Sequence, residues 1–283
     1  MSLRIANHAL VGALLALGAA SAFAQARPAE KPFVPQVGQE GKDVIWVPTP
    51  DAVVERMLGM AGCRSGDFVI DLGSGDGRIA IAAGKKCGAR AMGIEYNPDM
   101  VAVSNDNARK EGVADRVRFV KADIFEADFG QATIVTMYLL PNLNIRLRPK
   151  ILGMKPGTRV ASHQFTMGEW EADEVANVDG RSAYFWVVPA TVGGTWDLQQ
   201  EGSASVLTLR QEFQMLQGSA VAGGSTAQVK PGSRMRGDAI AFTLVDAGGA
   251  ERAYSGRDDG GAMTGTVRAP GGAEQAWSAR RRP

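Results

Sequence analysis

Residues 68–77 read Phe-Val-Ile-Asp-Leu-Gly-Ser-Gly-Asp-Gly, an apolar run that breaks into a glycine-rich turn carrying two carboxylates, Asp71 and Asp76. A helix-like stretch, Arg78 to Lys86, follows it. Gly73, Gly75 and Gly77 let main chain approach a ligand with no Cβ in the way, as in strand-turn-helix nucleotide loops. The acids narrow the choice of ligand. A dinucleotide pyrophosphate about 4 Å from either carboxylate would be repelled by roughly 1 kcal/mol in water-like surroundings and by about 4 kcal/mol at an effective dielectric of 20. S-adenosylmethionine brings a sulfonium and an ammonium instead, so the same acids attract it. The acidic loop thus argues against an NAD-dependent oxidoreductase.

Two more acids end later strand-like runs. In Met92-Gly93-Ile94-Glu95-Tyr96-Asn97, Glu95 lies roughly 20 residues past the first glycine of the loop, the spacing at which an acid accepts from ribose hydroxyls. Asp123 ends the run Phe119-Val120-Lys121-Ala122 and is followed by Ile124. In an open parallel sheet the C-terminal strand ends converge on one crevice, so Asp71, Glu95 and Asp123 are expected to face one ligand. His163, in Ala161-Ser162-His163-Gln164-Phe165, ends a fifth run on the crevice side. It reads either as a proton acceptor near neutral pH or as a structural histidine, since no second group is visible to orient it as a base. No cluster of metal ligands is visible.

The elements that must position these residues alternate along the chain. Strand-like runs lie at Asp67 to Leu72, Ala89 to Glu95, Val117 to Ala122, Ala132 to Met137 and Thr158 to His163. Helix-like runs lie at Asp51 to Leu58, Arg78 to Lys86, Asp99 to Glu111 and Asn142 to Leu152, the first of them capped by Thr49 or Asp51. This alternation predicts a parallel α/β sheet with helices on both faces. Runs at Glu171 to Val178 and Ser182 to Pro189, with no helix between them, predict an antiparallel hairpin closing one edge. Past Val192-Gly193-Gly194, short alternating runs such as Ser205 to Leu209, Ala239 to Leu244 and Gly265 to Val267 are separated by glycine-rich turns. They predict a small C-terminal all-β domain, an antiparallel sheet or barrel, over 191–283. No catalytic constellation is visible there, so it reads as a structural or partner-binding module.

The N-terminal end reads differently. Arg4, an apolar stretch from Ala9 to Ala20, and Ala22 and Ala24 in small-x-small spacing read as a secretory signal peptide over 1–24. A periplasmic or secreted protein is the expectation, with an uncleaved membrane anchor as the alternative. Pro28, Pro32, Pro35, Gly38 and Gly41 make 25–43 an extended linker, and order is expected to resume at Val44. A net charge of +1 gives no reason to expect a nucleic-acid partner, and the Arg280-Arg281-Arg282 tail reads as a solvated terminus. Cys63 and Cys87, the two cysteines, each precede a strand run; export would make a disulfide between them plausible.

Over about Val44 to Pro189 the chain resembles the class I S-adenosylmethionine-dependent methyltransferases. That resemblance implies a Rossmann-like methyltransferase domain over 44–190. Asp71 with Gly73, Ser74, Gly75 and Gly77 would hold the methionine portion, Glu95 the ribose, and Asp123 with Ile124 the adenine. The segment Trp46-Val47-Pro48-Thr49-Pro50 and the run Asp71-Leu72-Gly73-Ser74-Gly75-Asp76-Gly77-Arg78-Ile79 are similar to the lysine N-methyltransferases of ATP synthase c-subunit and adenine nucleotide translocase. In such enzymes the pre-strand segment contributes to the active site, which makes Thr49 a catalytic candidate. The methyl acceptor implied is a lysine of a small or membrane protein, and membrane proximity is compatible with the leader. Where amino-group methyltransferases often carry Asn/Asp-Pro-Pro-aromatic after the fourth strand, this chain has Thr136-Met137-Tyr138-Leu139-Leu140-Pro141-Asn142. Tyr138 and nearby carbonyls are the positional substitutes, with a packing tyrosine as the alternative. A competing reading of the whole chain is an exported, non-catalytic binding module that retains a nucleoside-type ligand site.

Overall fold

A computed structural model describes residues 33–200 and 202–283. The expected leader at 1–24 and the first part of the linker lie outside the described residues.

The central sheet is built from β1 (Phe68–Leu72), β2 (Arg90–Glu95), β3 (Val117–Lys121), β4 (Ile134–Met137), β5 (Arg159–His163), β6 (Glu174–Val178) and β7 (Arg181–Val187). Their order is β3-β2-β1-β4-β5-β7-β6, with the first five parallel and β7 antiparallel to both β5 and β6. β1 reads as a nearly continuous apolar run because both its faces are covered. Val69 packs under α1 (Asp51–Met60), α2 (Arg78–Ala82) and α3 (Pro98–Lys110), with Val54, Met57, Ala80 and Ala108. Ile70 and Leu72 point to the other face, against Leu143, Leu147 and Ile151 of α4 (Pro141–Leu152) and against Trp170 and Trp186. Helices therefore cover both faces, as the sequence pattern predicts.

Local details follow from residue chemistry. Asn97 caps α3, its Oδ1 accepting from the amides of Asp99 and Met100, with Pro98 as the first helical residue. The stretch expected as one helix over Arg78 to Lys86 is α2 followed by a π-helical turn, Ala83–Cys87, which ends at Gly88 in the left-handed region. The expected cap of α1 is not made: Pro50 occupies that position, the Thr49 hydroxyl turns to His163, and Asp51 lies inside the first turn, where its charge suits the helix N-terminus. Cys63 and Cys87 are bonded, with Cα atoms 5.7 Å apart, at the edge of the sheet where β1 and β2 begin.

The C-terminal part is a closed antiparallel barrel. Its strands are β8 (Gly194–Gln200), β9 (Ser203–Glu212), β10 (Met215–Ala222), β11 (Ser225–Val229), β12 (Arg234–Arg236), β13 (Ala239–Val245), β14 (Glu251–Asp258), β15 (Ala262–Arg268) and β16 (Gln275–Arg281). β8 pairs with both β9 and β16, β9 with β10, and β11 and β12 share the place between β10 and β13. Side chains fill the interior; Phe242 stacks on Tyr254 at 4.5 Å and Trp277 meets both edge-on. The arginine tail is exposed, as expected, but it is also held to the barrel. Because β16 pairs with β8 as far as Arg281, that guanidinium donates to the Gly193 and Thr191 carbonyls at 2.7 Å each and lies over the Trp196 ring, and Arg282 pairs with Asp197 at 2.6 Å.

The barrel is tied to the loop between β5 and β6. Phe213, in the β9–β10 turn, stacks on Trp170 at 6.3 Å and 17°, and Gln214 Nε2 donates to the Glu171 carbonyl at 2.8 Å. Arg234 pairs with the buried Asp173.

Candidate active site

The cleft opens at the C-terminal ends of β1, β2 and β4. In the turn after β1 the main chain takes positive φ at Gly73 (72°), Gly75 (53°) and Gly77 (86°). The amides of Gly73 and Ser74 both donate to the Ile94 carbonyl, at 2.9 and 3.1 Å, and that of Gly77 donates to the Ser74 carbonyl at 2.8 Å. The Gly75 amide donates to Glu95 Oε2 at 3.0 Å. A loop whose donors are already engaged by protein acceptors is a poor phosphate cradle, which agrees with the acidic character read from the sequence. A side chain on Gly77 would overlap Phe119 and Ser104, and one on Gly75 would overlap the Trp46 indole, so these glycines serve close packing around the cleft.

Asp71 is 2% exposed and accepts from the Thr136 hydroxyl at 2.7 Å. Burial pushes its carboxyl up to about 7; the Thr136 bond opposes that rise, and the charges of Asp76 and Glu95 add to it. The other loop acid is already engaged: Asp76 binds Arg78, and Arg78 Nη1 also donates to the Thr49 carbonyl at 3.0 Å. Ser74 Oγ is buried without a hydrogen-bond partner. A buried acid lacking a cation and a hydroxyl lacking a partner fit the ammonium and carboxylate of the methionine end of S-adenosylmethionine.

Glu95 accepts from the Asn97 amide at 2.9 Å through its other oxygen, which fixes the carboxylate on the cleft wall with lone pairs free for ribose hydroxyls. Asp123 and Ile124 line the same wall. The Lys42 ammonium, followed by the Phe125 amide at 2.9 Å, holds Asp123 below the usual carboxylate range.

Lys42 belongs to a segment expected, from its prolines and glycines, to be a flexible linker. Residues 36–46 instead fold over the cleft: the Gly38 amide donates to the Trp46 carbonyl and the Trp46 amide to the Gln39 carbonyl, each at 2.9 Å. The Lys42 ammonium also lies 4.8 Å from the centre of the Tyr96 ring. Lys42, Trp46, Arg78 and Tyr96 are cleft residues that the sequence pattern does not single out as ligand contacts. Trp46 alone gives a signal, as an aromatic residue just before the Pro48-Thr49-Pro50 run.

Thr49 and Tyr138 line the same cleft. Behind them lies His163, fully buried, its Nδ1 3.1 Å from Thr49 Oγ1 and its ring 3.9 Å from that of Tyr138. Phe165 also stacks on Tyr138, with ring centres 6.1 Å apart. Burial, assisted by the charge of Arg181, lowers the imidazole to about 4, so His163 is neutral at physiological pH and too weak a base to keep a proton there. The structure thus brings Asp71, the glycine loop, Glu95, Asp123, Ile124, Thr49 and Tyr138 onto one cleft.

Comparison with known proteins agrees with this geometry. The sequence profile of the ANTKMT methyltransferase domain matches residues 71–174. A protein-lysine N-methyltransferase of Saccharolobus islandicus is 43% identical over 151 residues, which is 51% of this chain and 94% of that protein. The human ATP synthase c-subunit lysine N-methyltransferase is 36% identical over 131 residues, or 46% of this chain; the match spans 55% of that enzyme's length. Among solved structures, an RNA methyltransferase of Salinibacter ruber in complex with S-adenosyl-L-homocysteine is 48% identical, with a TM-score of 0.51 over 52% of this chain and 96% of that one. With a cleft fitted to the cofactor and a relative matched along nearly its whole length, the chain belongs to the S-adenosylmethionine-dependent methyltransferases of the ANTKMT-domain family.

Proposed function

We propose that this enzyme transfers the methyl group of S-adenosylmethionine to a lysine amine of a protein. The observation that carries the proposal is the 43% identity to the archaeal protein-lysine N-methyltransferase across 94% of its length. In this reading Asp71 and Ser74 hold the methionine end, Glu95 the ribose, and Asp123 with Ile124 the adenine. Gly73, Gly75 and Gly77 allow the loop to close against Trp46 and Phe119. The cofactor supplies the electrophilic methyl group. Tyr138 and Thr49 border the position where a neutral amine must stand in line with it. With His163 neutral and unable to keep a proton, the acceptor amine arrives deprotonated from solvent, and the reaction rate follows the amine's own ionisation.

The substrates for which relatives are named include the ATP synthase c-subunit and adenine nucleotide translocase, which supports a lysine on a membrane protein as the acceptor. The leader-like residues and the Cys63–Cys87 bond support action in an oxidising compartment. Incubating the purified chain with methyl-labelled S-adenosylmethionine and separate protein and RNA fractions tests the acceptor class. Label on lysine, abolished by Asp71→Ala, is the expected result. Label in RNA alone would overturn the lysine assignment and leave the methyltransferase intact.

A further inference from the structure

His163 is unused by the chemistry above, yet it is placed where that chemistry happens. It is fully buried, its Nε2 has no hydrogen-bond partner, and its two close neighbours, Thr49 and Tyr138, line the cleft and are the residues proposed above to border the acceptor amine. Leaving a polar atom unpaired in the interior carries a free-energy cost that an aliphatic side chain of similar size would avoid. A group retained under that cost is best explained by its single hydrogen bond, the one to Thr49.

That bond has two polarities open to it, and they present opposite faces to the cleft. If His163 Nδ1 carries the proton, it donates to Thr49 Oγ1 and leaves the threonine proton free to point at the acceptor, where it would oppose the N–H groups of an amine. If Nδ1 is bare, the Thr49 hydroxyl donates to it, and the oxygen lone pairs are left to accept from an amine. The Thr49 main chain is fixed independently, its carbonyl held by Arg78 Nη1 at 3.0 Å, so the orientation of the hydroxyl is the remaining freedom. The reacting amine presents N–H groups and no charge, and an oxygen acceptor on the cleft wall is what would align its lone pair with the methyl group.

We propose that His163 is a positioning residue that accepts the Thr49 hydroxyl proton at Nδ1, so that Thr49 Oγ1 faces the cleft as a hydrogen-bond acceptor for the substrate amine. This rests on the amine-acceptor reading above. In the step itself the amine lone pair forms the N–C bond while the C–S bond breaks, its electron pair stays on sulfur, and the extra proton leaves with the methylated ammonium to solvent. His163 takes no part in that transfer; it sets the direction of one hydroxyl.

The test uses two cofactor analogues on the full chain: S-adenosylhomocysteine, which lacks the methyl group, and sinefungin, in which a carbon-borne amine replaces the sulfonium methyl. The ratio of their dissociation constants, by calorimetry, reads amine recognition at the methyl position. We expect that Thr49→Val and His163→Leu each reduce the preference for sinefungin by about tenfold with little change for S-adenosylhomocysteine. His163→Asn, whose amide oxygen can accept in place of Nδ1, retains most of the preference. An unchanged ratio in Thr49→Val and His163→Leu would overturn the proposal, and if His163→Leu fails to fold, Thr49→Val decides alone. Absence of label on lysine with a changed ratio would instead count against the protein acceptor, because it would leave amine recognition standing.

Discussion

The Thr136 hydroxyl donates to Asp71 Oδ1 at 2.7 Å across the β1–β4 pair, and this bond is made at a carboxyl that burial has pushed up to about 7. In the proposed reading, cofactor binding places a cation beside that group and favours its charged form. S-adenosylmethionine is therefore expected to expel a proton when it binds near pH 6, where the unliganded acid is largely protonated, and to expel almost none at pH 8. Calorimetry in two buffers of different ionisation enthalpy reads this directly. Equal heats at pH 6, or a buffer dependence that persists in Asp71→Asn, would remove Asp71 from the methionine end.

The same acid and His163 shape stability in opposite directions. Asp71 rises from 3.8 to about 7 in the folded chain, so its contribution is complete at low pH and is lost as pH climbs through 7. His163 falls from 6.5 to about 4, so its contribution is present above 6.5 and is lost as pH drops through 4. Between pH 4.5 and 6.5 the two slopes oppose each other. Unliganded Asp71→Asn should show a melting temperature that climbs with pH across this window more steeply than wild type does, by scanning calorimetry. Parallel curves would mean that Asp71 does not titrate as its burial requires.

Lys42 pairs with Asp123, and in the proposed reading adenine competes for the same carboxylate. The pair is partly exposed, so its effect is small and screened by salt. Lys42→Met is expected to tighten cofactor binding two- to threefold, roughly the weight of a surface ion pair, in 50 mM salt and not at all in 500 mM. A loss of affinity would show instead that Lys42 clamps the ligand.

Phe213 reaches from the barrel onto Trp170, and Arg148 of α4 lies over the Phe213 ring while donating to the Met167 carbonyl at 2.9 Å. Removing the ring should loosen the loop more than the cleft. Phe213→Ala is expected to cost about 2 kcal/mol, less than a fully buried phenylalanine, and to speed hydrogen exchange over 164–171. S-adenosylhomocysteine affinity should stay within about twofold. If exchange over 164–171 is unaltered, the barrel does not support the acceptor side.

The disulfide closes a loop that contains β1 and the glycine turn, yet it lies where the strands begin, away from the cleft. Replacing Cys63 and Cys87 together by Ser is expected to lower stability by up to about 3.5 kcal/mol through the gain of freedom in the unfolded chain. Cofactor affinity should be unaffected. Coupled loss of both would place the bond closer to function than its position suggests.

The proposed cofactor side of the molecule is legible in the sequence because each of its acids lies at or just beyond the C-terminal end of a strand. Asp71, Glu95 and Asp123 are found by locating strand ends, and parallel pairing brings those ends together whatever the packing details. The hairpin at β6 and β7 is legible for the same local reason. Lys42 is not, because proline and glycine punctuation excludes a helix or strand but says nothing about an irregular segment held by main-chain bonds and one ion pair. The cap of α1 departs from expectation because the Thr49 hydroxyl has two partners to choose between, the first amides of the helix and the His163 ring, and the choice of His163 depends on a residue 114 positions away. Barrel closure is of the same kind: alternation defines the strands and β9–β10 is a local hairpin, whereas the long-range β8–β16 partnership that closes the ring is settled only in three dimensions.

Because the barrel strands close on one another, strand-by-strand growth onto a second molecule is confined, among the described residues, to the two outer strands of the other sheet. One of them, β3, carries the exposed cations Arg118 and Lys121 along its length, the kind of charge that turns an incoming strand away. The other, β6, is five residues long and leaves Val175 57% exposed beside Asn177. Any tendency of this enzyme to aggregate through unpaired main chain should therefore begin at β6, and a single lysine in place of Val175 should be enough to suppress it.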